Sequence, residues 1–283
     1  MRSPLVGRLT VVGLGLLGGS VARGARARRI AGEIVGVSRR AATLAQAQAA
    51  RAVDRATQDL AEGTQDADLV VLCAPVGALP ELVRGAWPHL RSGAVLTDVG
   101  SVKAGVTAAA DACEPRPGVG FVGGHPMAGS EQSGFAAADP DLFEGRLALL
   151  TPTARSPEAA VARVTEFWEL LGSHVRLVTV DAHDRGVAAV SHLPHLAAYG
   201  LVAAADDDAL GLAGPGFADT TRVAESAEAL WADIFRANRA PLLESLARYR
   251  QVLDHWEALI RDGQWTALEA ALGRAREIRE KLP

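Results

Sequence analysis

The chain has 283 residues, enough for two domains and a sizeable core. Its net charge of -4 and pI near 6.0 give no electrostatic footprint for nucleic acid, so the expected partners are a small-molecule substrate or a second copy of the chain. Lys103 and Lys281 are the only lysines, and Cys73 and Cys113 lie far apart without CxxC spacing, which argues against a disulfide framework or a zinc site and fits a reducing, cytoplasmic setting with no metal.

No apolar stretch reads as long enough to span a bilayer, and the glycine-interrupted run behind the first arginines does not read as a signal peptide, so no membrane partner is expected. Residues 9–12 form a β-type run that leads into Gly13-Leu14-Gly15-Leu16-Leu17-Gly18, a GxGxxG placed between strand and helix. Gly13 permits the tight turn, Gly15 lets the backbone approach a pyrophosphate, and Gly18 lets the helix pack on the sheet. A second β-run at 34–37 completes a βαβ unit. Behind it stand Ser38, Arg39 and Arg40, where an NAD site usually carries an acid. Two arginines there suit a 2′-phosphate, so NADP is the expected cofactor, with NAD disfavoured and not excluded. The competing reading is a pair of solvated surface arginines.

Helical propensity over 41–50 is followed by buried-strand runs at 68–74 and 94–98, the first stopped by Pro75. Near-continuous apolar runs of this kind point to a doubly wound parallel sheet of Rossmann type, in which sites gather at the carboxyl ends of the strands. Ala74 and Pro75 lie at one such end, Ser101 and Lys103 at the next, and His125 at a third, in a loop behind the apolar run 119–122. Each has a plainer explanation alone: Ser101 as a helix cap, Lys103 as a first-turn surface residue, His125 as turn filler. Together they form one rim beside a nicotinamide site.

Strands are expected at 146–150 and 175–180, with a helix opened by Ser156-Pro157-Glu158 between them. Beyond 180 the strand signals stop. Asp181 reads as the N-cap of one long apolar helix over 183–205, bearing His192 and His195 three residues apart, with Pro194 between them expected to kink it. The pair suits either a metal or an unbound core, and no third ligand is near in sequence. After a Gly214-Pro-Gly loop come Asp219 and Arg222, then helical patterns over 230–238, 240–261 and 265–282. Their apolar surface, with Trp231, Trp256 and Trp265, is too wide for one helical layer and implies self-association, the alternative being a self-contained bundle.

These motifs in this order resemble the prephenate and arogenate dehydrogenases of tyrosine biosynthesis: the fingerprint at 13–18, Asp98-Val-Gly-Ser101-Val-Lys103, Gly124-His125-Pro-Met-Ala-Gly-Ser-Glu131, Ser191-His192-Leu-Pro-His195, and Asp219-Thr-Thr-Arg222 with Trp231 beyond. The resemblance implies a dinucleotide-binding domain over 1–180 and an all-helical domain over 181–283 through which two chains dimerise. It implies oxidative decarboxylation of prephenate, with His125 as base, Ser101 positioning it and the nicotinamide of the cofactor, and Arg222, oriented by Asp219, gripping a carboxylate. His195 and His192 would line the pocket, with Glu131 and Trp231 near its mouth. Arogenate or dual specificity is the nearest alternative. An imine reductase or β-hydroxyacid dehydrogenase, and a non-catalytic NADP sensor, explain fewer of the motifs.

Overall fold

The computed structural model describes residues 3–129 and 132–282; Glu131 lies outside the described residues. The chain opens with β1 (Val6–Val12), α1 (Leu16–Ala27) and β2 (Ala31–Val37), the expected βαβ unit. It continues through α2 (Ala41–Ala49), β3 (Arg55–Thr57), α3 (Leu60–Thr64), β4 (Leu69–Leu72), α4 (Leu79–Ala86), β5 (Val95–Asp98), α5 (Ala104–Asp111) and β6 (Gly120–Pro126). Then come β7 (Leu147–Thr151), α6 (Glu158–Leu170) and β8 (His174–Leu177). One eight-stranded sheet results, in the order β3-β2-β1-β4-β5-β6-β7-β8. β3, a three-residue edge strand, is too short to show a period in sequence.

The buried-strand runs pack as their composition requires. Leu9, Val11, Leu69 and Val71 face α1 and α6 in one cluster, while Val12, Val70, Leu72 and Leu96 face α4 and α5 in another. Pairing is parallel from β3 through β6. It then departs from the all-parallel expectation, because β7 runs antiparallel to β6 and β8 lies parallel to β7. A parallel return needs a crossover element, which α6 supplies between β7 and β8; no α-helix is described between β6 and β7. His125 is also corrected: it belongs to β6, paired with Leu149 of β7, and is not in a loop.

The remainder is helical. Thr179, not Asp181, caps the next helix, its hydroxyl accepting from Ala182 N at 3.2 Å. That helix has three parts: α7 (Val180–Val187), a π-helical turn (Ala188–His192) and α8 (Leu193–Ala204). The π turn lies just ahead of Pro194, which lacks an N–H and crowds the carbonyl four residues back, and the wider turn relieves both. At 25 residues with mean hydropathy 1.4, this continuous helix does reach bilayer-spanning length, against the sequence expectation. The bonds that His183 and Asp184 in its first turns make to the sheet unit, described below, make length and hydropathy weak evidence for a membrane span. Next are α9 (Asp207–Leu210), α10 (Pro215–Thr221), α11 (Glu228–Ala237), α12 (Arg239–Arg261) and α13 (Trp265–Glu280). Pro215 opens α10 and does not sit in a loop. Trp231 and Ile234 of α11 pack on Val76 and Val102, which follow β4 and β5, so a small apolar cluster seals the two units together.

Candidate active site

The GxGxxG turn leaves β1 at the point where the strand order reverses, between β1 and β4. Gly13 has φ 92°, and a side chain there would strike the Cys73 carbonyl; one on Gly18 would strike the Gly13 carbonyl. A Cβ on Gly15 would instead meet nothing within 4 Å. No side chain caps α1, so its first-turn N–H groups open on that space, and the cradle fits a diphosphate. Leu14 turns its side chain into the core at 2% exposure, which leaves only its backbone for a ligand. Leu16 and Leu17 are half-buried along the turn, Ala74 is half-buried and Pro75 exposed at the end of β4. Past β2, the half-buried Ser38 accepts from Arg40 N at 3.3 Å, while Arg39 and Arg40 are exposed. Neither guanidinium has an ion-pair partner among the described residues.

At the end of β6, His125 Nδ1 lies 2.9 Å from His183 Nε2, and His183 Nδ1 lies 2.7 Å from Asp184 Oδ1. Asp184 also accepts from the backbone N–H groups of Lys103 at 2.8 Å and Ala104 at 2.9 Å. Those bonds and His183 hold the Asp184 carboxyl below the ordinary carboxylate range against the opposing cost of burial. An ionised Asp184 fixes the tautomers along the line. His183 carries its proton on Nδ1 and donates to the carboxylate, so its Nε2 accepts from His125 Nδ1–H, and His125 Nε2 keeps a free lone pair. Burial, then the neighbouring His183 and the Lys103 charge, push His125 well below the ordinary histidine range, so it is neutral near pH 7. The half-buried Ser101 makes no hydrogen bond within the described residues, and it does not cap α5; Asp184 performs that task from α7. Lys103 is fully buried, not a surface residue.

The second pair of histidines is placed differently. His192 is buried, with Nδ1 accepting from Asn238 Nδ2 at 3.1 Å, and burial lowers it to about 4. Asn238 also donates to the Asp184 carbonyl at 2.8 Å. His195 Nδ1 donates to the Ser191 carbonyl at 2.9 Å, and its ring stacks on Trp231 with centroids 3.5 Å apart. Burial lowers His195, and the Arg222 charge adds to that. Arg222 itself is exposed, in a 3-10 turn following α10. Asp219 is exposed as well and forms no ion pair with Arg222, so the expected orienting contact is not made. Among the described residues no group of three His, Cys, Asp or Glu is arranged to hold a metal.

His183, Asp184 and Asn238 went unnoticed in sequence. His183 and His192 are nine residues apart, half a turn out of phase in an unbroken α-helix. The π turn adds a residue to one turn and brings them near enough for His183 to depress His192. The adjacent His-Asp pair in a helix's first turns was the available signal.

A glycine-turn cradle for a dinucleotide, with a neutral histidine at the end of β6 on the same carboxyl rim of the sheet, defines a nicotinamide-dependent oxidoreductase. The sequence profile of the prephenate dehydrogenase nucleotide-binding domain matches residues 21–177, and that of the prephenate dehydrogenase dimerization domain matches residues 179–274. The chain is 33% identical over 286 residues to a prephenate dehydrogenase of Lactococcus lactis, covering 97% of this chain and 77% of the relative. The crystal structure of prephenate dehydrogenase from A. aeolicus, in complex with hydroxyphenyl propionate and NAD+, matches with TM-score 0.90 and 28% identity over 100% of this chain and 99% of that one. An arogenate dehydrogenase structure from Synechocystis matches with TM-score 0.84 and 36% identity, covering 97% of this chain and 99% of the other. The chain belongs to the prephenate dehydrogenase family.

Proposed function

We propose that this protein oxidises and decarboxylates prephenate to 4-hydroxyphenylpyruvate, with His125 as general base. The observation that carries the reading is the line Asp184, His183, His125, which leaves a neutral imidazole nitrogen free on the rim beside the glycine cradle. His125 Nε2 accepts the substrate hydroxyl proton as the C–H bond on the same carbon gives up its hydride. His183 steadies the imidazolium that forms, and the Asp184 charge stabilises it. Bound NAD or NADP supplies the hydride acceptor. Loss of carbon dioxide from the ring then restores aromaticity and makes the step irreversible. Ser101, with its hydroxyl uncommitted, is available to the substrate hydroxyl or the nicotinamide amide. Arg222 offers a planar fork to a substrate carboxylate, and the His195–Trp231 stack forms a flat apolar wall for the ring.

The division into a dinucleotide-binding part over 1–180 and a helical part over 181–283 belongs to this reading. So does a cytoplasmic homodimer. Leu243, Val252, Leu253 and Ile260 of α12 and Trp265, Leu272 and Ile278 of α13 are all exposed in one chain, a surface suited to a second copy. For the cofactor, unpaired Arg39 and Arg40 favour NADP, since a charge-assisted bond to a 2′-phosphate is worth about 1.5 to 3 kcal/mol. The Arg39 carbonyl accepts from Gln58 at 2.7 Å, which holds its backbone beside the end of β2. NADP should therefore give the higher kcat/KM, and Arg39→Ala should erase most of the difference with NAD-linked turnover nearly unchanged. Equal efficiencies, or a preference for NAD, would refute the phosphate site.

Reduced-cofactor absorbance with prephenate and either dinucleotide tests the activity directly. The Synechocystis relative is an arogenate dehydrogenase, so the same assay with arogenate separates the two substrates. Absence of turnover with both would overturn the proposal.

A further inference from the structure

The pair formed by Lys103 and Asp98 takes no part in the chemistry above, yet both side chains are completely buried. Burying two charges costs several kcal/mol per ion unless further hydrogen bonds satisfy them, so their partners show what the pair is for. Lys103 Nζ donates to Asp98 Oδ2 and, at 2.7 Å, to the Gly124 carbonyl. Asp98 Oδ1 accepts from Gly124 N at 3.1 Å, and Oδ2 from Gly100 N at 2.8 Å. Both backbone polar groups of Gly124, the residue before His125, therefore end on this ion pair.

The location explains why. The β5–β6 ladder stops at Thr97 and Val122, so beyond it β6 has β7 on one side and no strand on the other. The pair supplies the bonds that a longer β5 would have made. A side chain on Gly124 would come within 2.6 Å of the Asp98 carbonyl, so the strand passes flush against this support. The Lys103 backbone N–H, in turn, donates to Asp184 Oδ1, the oxygen that receives His183. A closed circuit follows: Asp184 to His183, to the His125 ring, through the chain to Gly124, to Lys103, and back to Asp184. The ring of His125 is held from α7 and its backbone from β5.

We propose that Lys103, paired with Asp98, is a positioning residue for His125, acting through the preceding peptide and not on substrate. The proposal rests on His125 being the base. Complete burial keeps the amine from touching a ligand in the cleft. The charged and titratable groups facing His125 are His183 and Asp184 from α7, His192 from the π turn, Asp98 from β5 and Lys103; its β7 partner is Leu149. Lys103 is the cation among them, and its charge adds to the burial that keeps His125 unprotonated.

The test uses the full chain with Lys103→Met, the double variant Lys103→Met/Asp98→Asn, and His125→Asn alongside. The double variant leaves no unpaired buried charge and is the one that decides. It should fold, keep KM for substrate and cofactor within about two-fold, and lose kcat by about 10- to 100-fold, as a misplaced catalytic group does. In Lys103→Met the acid limb of the pH–rate profile should also move to higher pH, because the nearby cation is gone and Asp98 remains. A folded double variant with wild-type kcat and pH profile would overturn the proposal. Failure of both variants to fold would overturn it too, assigning the pair to stability. Normal turnover by His125→Asn would sink the underlying reading instead, whatever the Lys103 variants do.

Discussion

Two pairs of histidines lie along one helix and its neighbouring strand, and their partners give them opposite characters. His125 and His183 meet ring nitrogen to ring nitrogen, and a carboxylate lies at the end of the line. His192 and His195 are tied instead to neutral groups, the Asn238 amide and the Ser191 carbonyl, and flank Trp231. The first arrangement can pass positive charge toward an anion when a proton arrives. The second has no anion on the imidazoles themselves, so it supplies shape and apolar surface. Residue type alone does not set the task; the group on the far ring nitrogen does.

The comparison is broken most strongly at His183. His183→Leu removes the acceptor that orients the His125 ring, and kcat should fall about 100-fold with KM little changed, within the usual range for general base catalysis. An equal loss from His195→Leu would show that the two pairs are not distinct. On the pocket side, Arg222→Ala should raise KM for substrate by about 10- to 100-fold, the worth of a charge-assisted carboxylate contact, with a smaller effect on kcat. Loss of kcat alone would contradict the clamp.

Acid stability gives a smaller effect that both pairs share. His125 and His192 are lowered in the fold, His192 to about 4, from an ordinary value of 6.5. The unfolded chain then binds protons at a higher pH than the folded one, so stability is complete above about 6.5 and declines as pH falls toward about 4. The His192 share is on the order of 3 kcal/mol. Urea midpoints measured from pH 7 down to 4 should fall steadily and should fall less in His192→Leu, if that variant is compared with its own value at pH 7. Parallel curves would show that His192 is not buried neutral.

Legibility follows the same division. In the sheet unit, apolar runs and the GxGxxG turn act locally, so β1, β2, β4, β5 and the cradle could be read from neighbouring residues. His125 was found because two glycines and a proline mark its strand end. The reversed β7 was not legible, since direction depends on whether a crossover helix intervenes and not on the strand's own composition. His183 and Asp184 escaped because their roles come from contacts across 58 residues, to His125, and across 81, to Lys103. The π turn that gathers the histidines has no sequence period of its own. Asp219 beside Arg222 was the reverse case, where the family resemblance implied a pair that the turn into the 3-10 segment does not form.

The central claim is that His125 takes the substrate proton. Turnover and substrate affinity of His125→Asn, measured together with prephenate at a pH above 7, test it most directly. The account predicts that kcat falls by about two to four powers of ten while the dissociation constant stays within a few-fold of the parent enzyme. Near-normal kcat in that variant would contradict it.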